Sequence, residues 1–275
     1  SADWQQVIHP SSENPALAGF FLSDAFGATM THPVRPIDLL IEARWIVPVE
    51  PAGKVLENHA VAIDDGRIVA VVPQGFAAAH YAAKTRCVLA QHLLIPGLVN
   101  LHTHAAMSLL RGLANDLPLM DWLQKYIWPA EALLTHDDVY WGTKLALLEM
   151  IRSGTVFVND MYWHQTASLD AVEEMGLRAA IGYMFICVPG GGVLESNRQA
   201  NAELKERVSS CSSRIHLTYA PHAIYTVNQK ALLEIAEEAK QDQAVLHIHA
   251  AETAREVEEC QAEHSMTPIA YLDSL

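Results

Sequence analysis

Apolar and polar positions alternate along residues 37–72 with the two-residue period of half-buried strands, and Ile37–Val47, His59–Ile63 and Ile68–Val72 read as three of them. Asp64-Asp65-Gly66-Arg67 joins the last two with the residues that a tight hairpin turn favours. A further short strand is predicted at Arg86–Leu89, ahead of the Pro96-Gly97 turn, so residues 37–95 form a small β unit. Residues 1–36 are read as an N-terminal extension. They mix Pro, Ser, Asn and Gly with a short apolar patch at Leu17–Phe26, and Met30 is a candidate native start.

Beyond His104 the pattern alternates between helical and strand periods, the mark of βα units around a parallel sheet. The clearest helix runs from about His136 to Ser153. Thr135 and Asp138 make a capping box, Val139, Ala146, Leu147, Met150 and Ile151 share a face, and Gly154 supplies the stop. Strands are predicted at Thr155–Asp160, Arg178–Met184, Ile215–Ala220 and Ala244–His249. Helices are predicted near Ser168–Met175, Glu195–Ser209 and Gln229–Ala239, the last with Leu232, Ile235, Ala236 and Ala239 inward, and another after Thr253. With the strand that ends in His102, residues 96–275 hold five βα units. A closed barrel needs eight, so the sheet is either open or part of a barrel.

Polar residues collect where these strands end. Leu93-Leu94-Ile95-Pro96-Gly97-Leu98-Val99-Asn100-Leu101-His102-Thr103-His104 reads as a buried strand tipped by two histidines, and residues i and i+2 of a strand face one side. His102 and His104 can therefore aim two imidazoles at one point, which suits zinc or iron. His247 and His249 share a side in the same way, and Glu252 follows at the strand mouth, where a carboxylate can move protons without occupying a metal. An isolated pair of strand histidines is an ordinary core or strand-end feature; the two pairs and the acid together point to a metal-dependent hydrolytic site. His222, in Ala220-Pro221-His222, is either a substrate donor or a structural loop histidine. Asp160 is most simply a strand-end residue. His9, His80 and His264 belong to no constellation.

Composition narrows the partners. The 275 residues are 51% hydrophobic, enough for a large core. With 32 acidic against 18 basic residues the formal charge is -14, which argues against nucleic acid and for a small molecule. The four cysteines form no Cys-x-x-Cys pair, so neither a zinc knuckle nor a disulfide framework is indicated. No apolar run approaches the roughly 18 residues of a membrane span, and the N-terminus lacks the order of a secretory signal. The expectation is a cytoplasmic protein without a membrane partner, compatible with a homo-oligomer.

Ile95–His104, followed by Leu109-Leu110-Arg111-Gly112, resembles the amidohydrolase superfamily, and more narrowly its 5'-methylthioadenosine/S-adenosylhomocysteine deaminase and chlorohydrolase branch. Leu119-Met120-Asp121-Trp122-Leu123, Trp128-Pro129-Ala130-Glu131, Ala220-Pro221-His222 and His249-Ala250-Ala251-Glu252-Thr253 carry the likeness further, over about residue 37 to the end. It implies a (β/α)8 TIM-type barrel with a small composite β-sandwich, of which residues 37–95 are the first part. It also implies one divalent metal ion, zinc or alternatively iron, on His102, His104 and His249. Glu252 then serves in proton transfer, His222 contacts the purine ring, Glu131 binds the ribose hydroxyls and Trp122 falls in the pocket wall. The family also uses a histidine after strand six and a metal-binding aspartate after strand eight. These positions follow the fifth βα unit, so the barrel in residues 96–275 is incomplete at its C-terminus.

The activity implied is hydrolytic exchange of the 6-amino group of an adenosine-type nucleoside, giving the inosine analogue and ammonia. Glu252 protonates the ring nitrogen beside C6 and then the departing amine. The other zinc deaminase fold is excluded, since no Pro-Cys-x-x-Cys element occurs. A carboxylate at Glu131 accepts two hydroxyl hydrogen bonds, which favours a nucleoside over guanine or a triazine. The loop Cys187–Val193 has no arginine for an amino-acid carboxylate, which favours 5'-methylthioadenosine over S-adenosylhomocysteine. The alternatives are an aminohydrolase or chlorohydrolase on another heterocycle, and a noncatalytic fragment retaining part of the metal site.

Overall fold

The structure, a computed structural model, describes residues 34–187 and 194–275. Most of the N-terminal extension, Met30 included, and residues 188–193 of the arginine-free loop lie outside the described residues. The chain divides between Pro96 and Gly97 into two compact units.

In the first unit β1 (Arg35–Ile46), β2 (Leu56–Asp64), β3 (Arg67–Pro73) and β4 (Tyr81–Leu94) form one sheet in the order β3-β2-β1-β4. The Asp-Gly turn is as expected. Asp65 and Gly66 take φ of 49° and 67°, the left-handed pair that matches strand twist in a two-residue hairpin. A short helix α1 (Gln74–His80), which periodicity does not announce, follows β3. It contains the strong helix formers Ala77-Ala78-Ala79 and packs Ala77 against Ile37, Leu40 and Val72. It also provides the crossover that parallel pairing requires, and β4 runs parallel to β1 from Arg35↔Tyr81 to Ile46↔Leu94. That long partner is why β4 far exceeds the predicted Arg86–Leu89.

The second unit is a parallel sheet in simple sequence order: β5 (Leu98–Thr103), β6 (Thr155–Asp160), β7 (Arg178–Phe185), β8 (Ile215–Pro221) and β9 (Val245–Leu246). Between β5 and β6 lie α2 (Leu119–Trp122), a π-helical turn Leu123–Ile127, α3 (Trp128–Glu131) and α4 (His136–Ser153). Then follow α5 (Gln165–Met175), α6 (Leu194–Ser210), α7 (Gln229–Gln241), α8 (Ala254–His264) and α9 (Pro268–Asp273). The expected α/β class and five βα units are present, in the curled parallel arrangement of a partial barrel. The capping box forms as read: Asp138 N–H donates to Thr135 Oγ1 at 3.2 Å and Thr135 N–H to Asp138 Oδ2 at 2.8 Å, while Gly154 takes φ 90° at the other end. Leu147, Val158, Leu169, Val172, Ile181 and Leu204 make the main core, and Phe185, Tyr219, Leu232 and Ile235 a second cluster.

Several expectations are corrected. The strand carrying His102 is not buried: Leu98, Val99 and Leu101 are 51–59% exposed, because β5 has a strand partner only on its β6 side among the described residues. The strand expected over Ala244–His249 shortens to Val245–Leu246, with an isolated bridge from His249 to Ala223. Ile151 and Ala236 are exposed, since each sits at the flank of its helix's buried stripe rather than on it.

Candidate active site

β5 and the chain after β9 bring the three histidines together. The ligand atoms of His102, His104 and His249 all lie within 4.8 Å of one another. Backbone pairing sets this up: Met161 N–H donates to Thr103 O at 3.1 Å, and His249 N–H to His222 O at 3.0 Å. Buried Asp160, at the end of β6, accepts from Ala105 N–H at 2.7 Å and so fixes the turn just after His104. Its carboxyl is held above the usual range by burial. Asp160 is therefore a strand-end residue, as read, with a positioning contact that strand period does not reveal.

Two imidazoles are locked in one tautomer. The Nδ1 of His104 lies 2.6 Å from Met161 O, and the Nδ1 of His249 lies 2.9 Å from His222 O. A carbonyl only accepts, so each Nδ1 carries its hydrogen and, in the neutral ring, each Nε2 is left with a lone pair. These two Nε2 atoms stand 3.2 Å apart. Two lone pairs cannot satisfy each other, and burial opposes protonation by holding the His249 ring below its ordinary pKa. A cation between them resolves the conflict. Two nitrogens at about 2.0–2.1 Å from one tetrahedral zinc would be about 3.3 Å apart, so the residues present fit a divalent ion.

Glu252 lies on the rim of the same cavity, where the Tyr225 hydroxyl donates to its Oε2 at 3.1 Å. The turn that carries it is held from behind. Ala251 N–H and Glu252 N–H donate to the Glu256 carboxylate at 3.0 and 2.7 Å, and Glu256 is buried. Ala251 takes the left-handed φ of 57°, a conformation that costs energy without glycine and persists where surroundings over-determine it. Sequence reading missed Glu256. The spacing Thr253-x-x-Glu256 carries a signal, a helix cap in which Glu256 N–H donates to Thr253 Oγ1.

A cavity of about 220 Å³ joins His102, His104 and His249 to Glu252, Trp122, Glu131 and His222, so every predicted site residue lines one space. An adjoining cavity of about 260 Å³ reaches His247 and His249 from the other side. His222 follows β8, and its Nδ1 lies 2.9 Å from Thr226 Oγ1. Burial and the neighbouring imidazoles push its pKa down to about 4, so it meets a ligand as a neutral ring. Glu131, from α3, accepts from Trp163 Nε1 at 3.1 Å, and burial raises its carboxyl above the usual range. Trp163 and Tyr162, both after β6, went unread because an aromatic pair in a loop has no periodic signature.

The amidohydrolase family pattern matches residues 93–275. The chain is 41% identical over 237 residues to the 5-methylthioadenosine/S-adenosylhomocysteine deaminase of Saccharophagus degradans, covering 85% of this chain and 53% of that protein. It is 47% identical over 182 residues to the 5'-deoxyadenosine deaminase of Methanospirillum hungatei, covering 66% and 40%. Among solved structures, an adenosine deaminase from Xanthomonas campestris with bound zinc superimposes with a TM-score of 0.81 at 40% identity, covering 88% of this chain and 56% of that one. The chain thus spans about half the length of the relatives it matches. From the span of the family match and these identities, the chain belongs to the amidohydrolase family.

Proposed function

We propose that this chain carries the metal-binding and nucleoside-binding part of a hydrolytic deaminase that converts the 6-amino group of an adenosine-type nucleoside to the inosine analogue and ammonia. The observation that carries this reading is the pair of facing Nε2 lone pairs on His104 and His249, set in one cavity with Glu252, Glu131 and His222. His102, His104 and His249 hold the ion, zinc in this proposal and iron as the alternative. A divalent ion there supplies Lewis acidity, lowering the pKa of water from about 15.7 toward about 7.

Glu252 takes one proton from the attacking water and delivers it to the ring nitrogen next to C6, then carries the proton left on the added hydroxyl to the amine, so that the C6–N bond breaks, ammonia leaves and the C6 oxygen becomes the carbonyl of the inosine analogue. Tyr225 orients the carboxylate for this transfer. Neutral His222 hydrogen-bonds the purine, Trp122 closes the wall beside it, and Glu131 accepts from the ribose hydroxyls. The ribose contact favours a nucleoside over a free base or triazine, and 5'-methylthioadenosine is the substrate proposed ahead of S-adenosylhomocysteine. The relatives with matching names support this substrate class.

The rest of the assignment follows from that reading. Residues 37–95 contribute the first part of a small β-sandwich, and residues 96–275 most of the active-site side of the barrel. No helix among the described residues is long and apolar enough to cross a membrane. A cytoplasmic location, a small-molecule rather than nucleic-acid partner, and a homo-oligomeric assembly belong to the proposal.

The test is ammonia release by the zinc-loaded protein from 5'-methylthioadenosine, S-adenosylhomocysteine, guanine and a chlorotriazine side by side, together with metal content. Turnover of the first, one ion per chain, and loss of both in His249→Ala are expected. Full metal retention in His102→Ala and His249→Ala, or preference for guanine or the triazine, would sink the reading.

A further inference from the structure

Glu131 ends α3, a helix of four residues, and its carboxylate sits at the tip of a long side chain whose rotamer freedom must be given up before it can point one way. The turn after β6 grips this segment at two places. Trp163 Nε1–H donates to Glu131 Oε2 at 3.1 Å. The next residue, His164, has its Nε2 3.2 Å from Leu134 O, and Leu134 N–H in turn donates to Glu131 O at 3.0 Å. His164 takes a left-handed φ of 47°, a conformation that persists where surroundings over-determine it, and its carbonyl accepts from Ala167 N–H at 2.7 Å where α5 begins. The grip is thereby anchored to α5. The Tyr162 hydroxyl interacts with the same Glu131 carboxyl.

Resting on the assignment of Glu131 to a ribose, we propose that Trp163 is a positioning residue for diol recognition, its indole N–H holding the Glu131 carboxylate in the orientation from which it accepts both ribose hydroxyls. An ionised carboxylate only accepts, and it offers about four lone-pair sites. With Trp163 and Tyr162 each taking one, two remain, the number that a vicinal diol needs. An indole suits the task because its nitrogen donates and never accepts, so it cannot compete with the carboxylate for the hydrogens of the diol. Trp163 and Glu131 both line the cavity that holds the three histidines, so the contact belongs to the wall of the site itself. A carboxylate already oriented loses less freedom when a ligand arrives, and the gain appears as affinity for the diol rather than for the rest of the ligand.

The experiment compares binding by calorimetry, without turnover, of two ligands to the zinc-loaded protein: the inosine product of 5'-methylthioadenosine and its 2',3'-dideoxy counterpart. Trp163→Phe keeps an aromatic ring in the wall and removes the donor. It is expected to weaken the diol ligand about tenfold, the value of one good hydrogen bond, and to leave the dideoxy ligand within about twofold. Because Trp163 acts through Glu131, the same change made in a Glu131→Ala background should weaken the diol ligand no further. Equal losses on both ligands, no loss on either, or a loss that persists in the Glu131→Ala background would overturn the proposal. Should Trp163→Phe fail to fold, the benzothiophene isostere of tryptophan at position 163, with sulfur in place of N–H, carries the same expectations and the same refutations. Glu131→Gln run in parallel separates the two claims. If it loses the diol ligand selectively while the Trp163 variants do not, the ribose reading of Glu131 stands and the role of Trp163 falls. If Glu131→Gln does not discriminate between the ligands, the ribose reading fails and takes this proposal with it.

Discussion

Among the described residues, the side-chain hydrogen bond of the Glu252 carboxylate comes from the Tyr225 hydroxyl at 3.1 Å. Its replacement by glutamine preserves shape and that contact while removing the capacity to move a proton. Glu252→Gln is therefore expected to keep its metal and lose roughly 10²- to 10⁴-fold in kcat, the usual contribution of a general acid–base group. A much smaller loss in a chemistry-limited assay would mean that another residue carries the proton. At this scale the sequence was informative wherever function imposed local spacing. His102 with His104, and His249 with Glu252, are short-range patterns. Trp163 and Asp160 act on residues 32 and 55 positions away, and such contacts exist only once the chain is folded. Their identities are readable in the chain; their partners are not.

Among the elements, the turn between β9 and α8 joins local stability to chemistry most directly. Glu256 receives both backbone N–H groups of that turn with its two carboxylate oxygens and is itself buried. Removing it leaves two donors unpaired and releases Ala251 from its left-handed conformation. We expect Glu256→Ala to lower kcat while zinc content stays near one per chain, since His249 is tied separately to the carbonyl of His222. Hydrogen exchange at Ala251 and Glu252 should accelerate in the same variant, and unchanged exchange there would refute the positioning role. Helices were legible in proportion to their boundary signals: α4 has a capping box and a glycine stop, and its span is as read. Strands were legible in number but not in environment. The apolar residues of β5 suggested burial on both faces, yet burial depends on what lies beside and above a strand, and periodicity within one segment carries no information about its neighbours.

For the molecule as a whole, the division into a four-stranded unit and a βα unit could be anticipated from the change of period near Pro96, whereas the parallel placement of β4 could not. That placement depends on α1, a seven-residue helix too short for a periodic signal. The exposed Leu98, Val99 and Leu101 on β5, with Trp141, Leu145 and Leu148 on α4, form apolar surface among the described residues. Surface of this kind normally marks an interaction face. Sequence pattern read the β5 residues as a buried strand; it had no means of stating what would cover them.

The meeting of His104 and His249 has a mechanical side as well. The two rings are separated by 145 positions of chain, so an ion shared between them acts as a cross-link that closes a very long loop, spanning the elements from β5 to β9. Such a link is reversible and its strength follows free-ion concentration. An ion that binds only the folded chain stabilises it by about 2.7 kcal/mol at a hundred times Kd and about 4.1 kcal/mol at a thousand times. Each kcal/mol raises Tm by roughly 2–4 °C for a domain of this size class. Chelation should thus lower Tm by several degrees, zinc should restore it, and His249→Ala should be indifferent to both; a Tm unmoved by chelator would remove the cross-link. Because the clasp fastens the two outer strands of the described sheet, amides of β5 and β9 should open together when the ion leaves, while β7, held from both sides, keeps its protection.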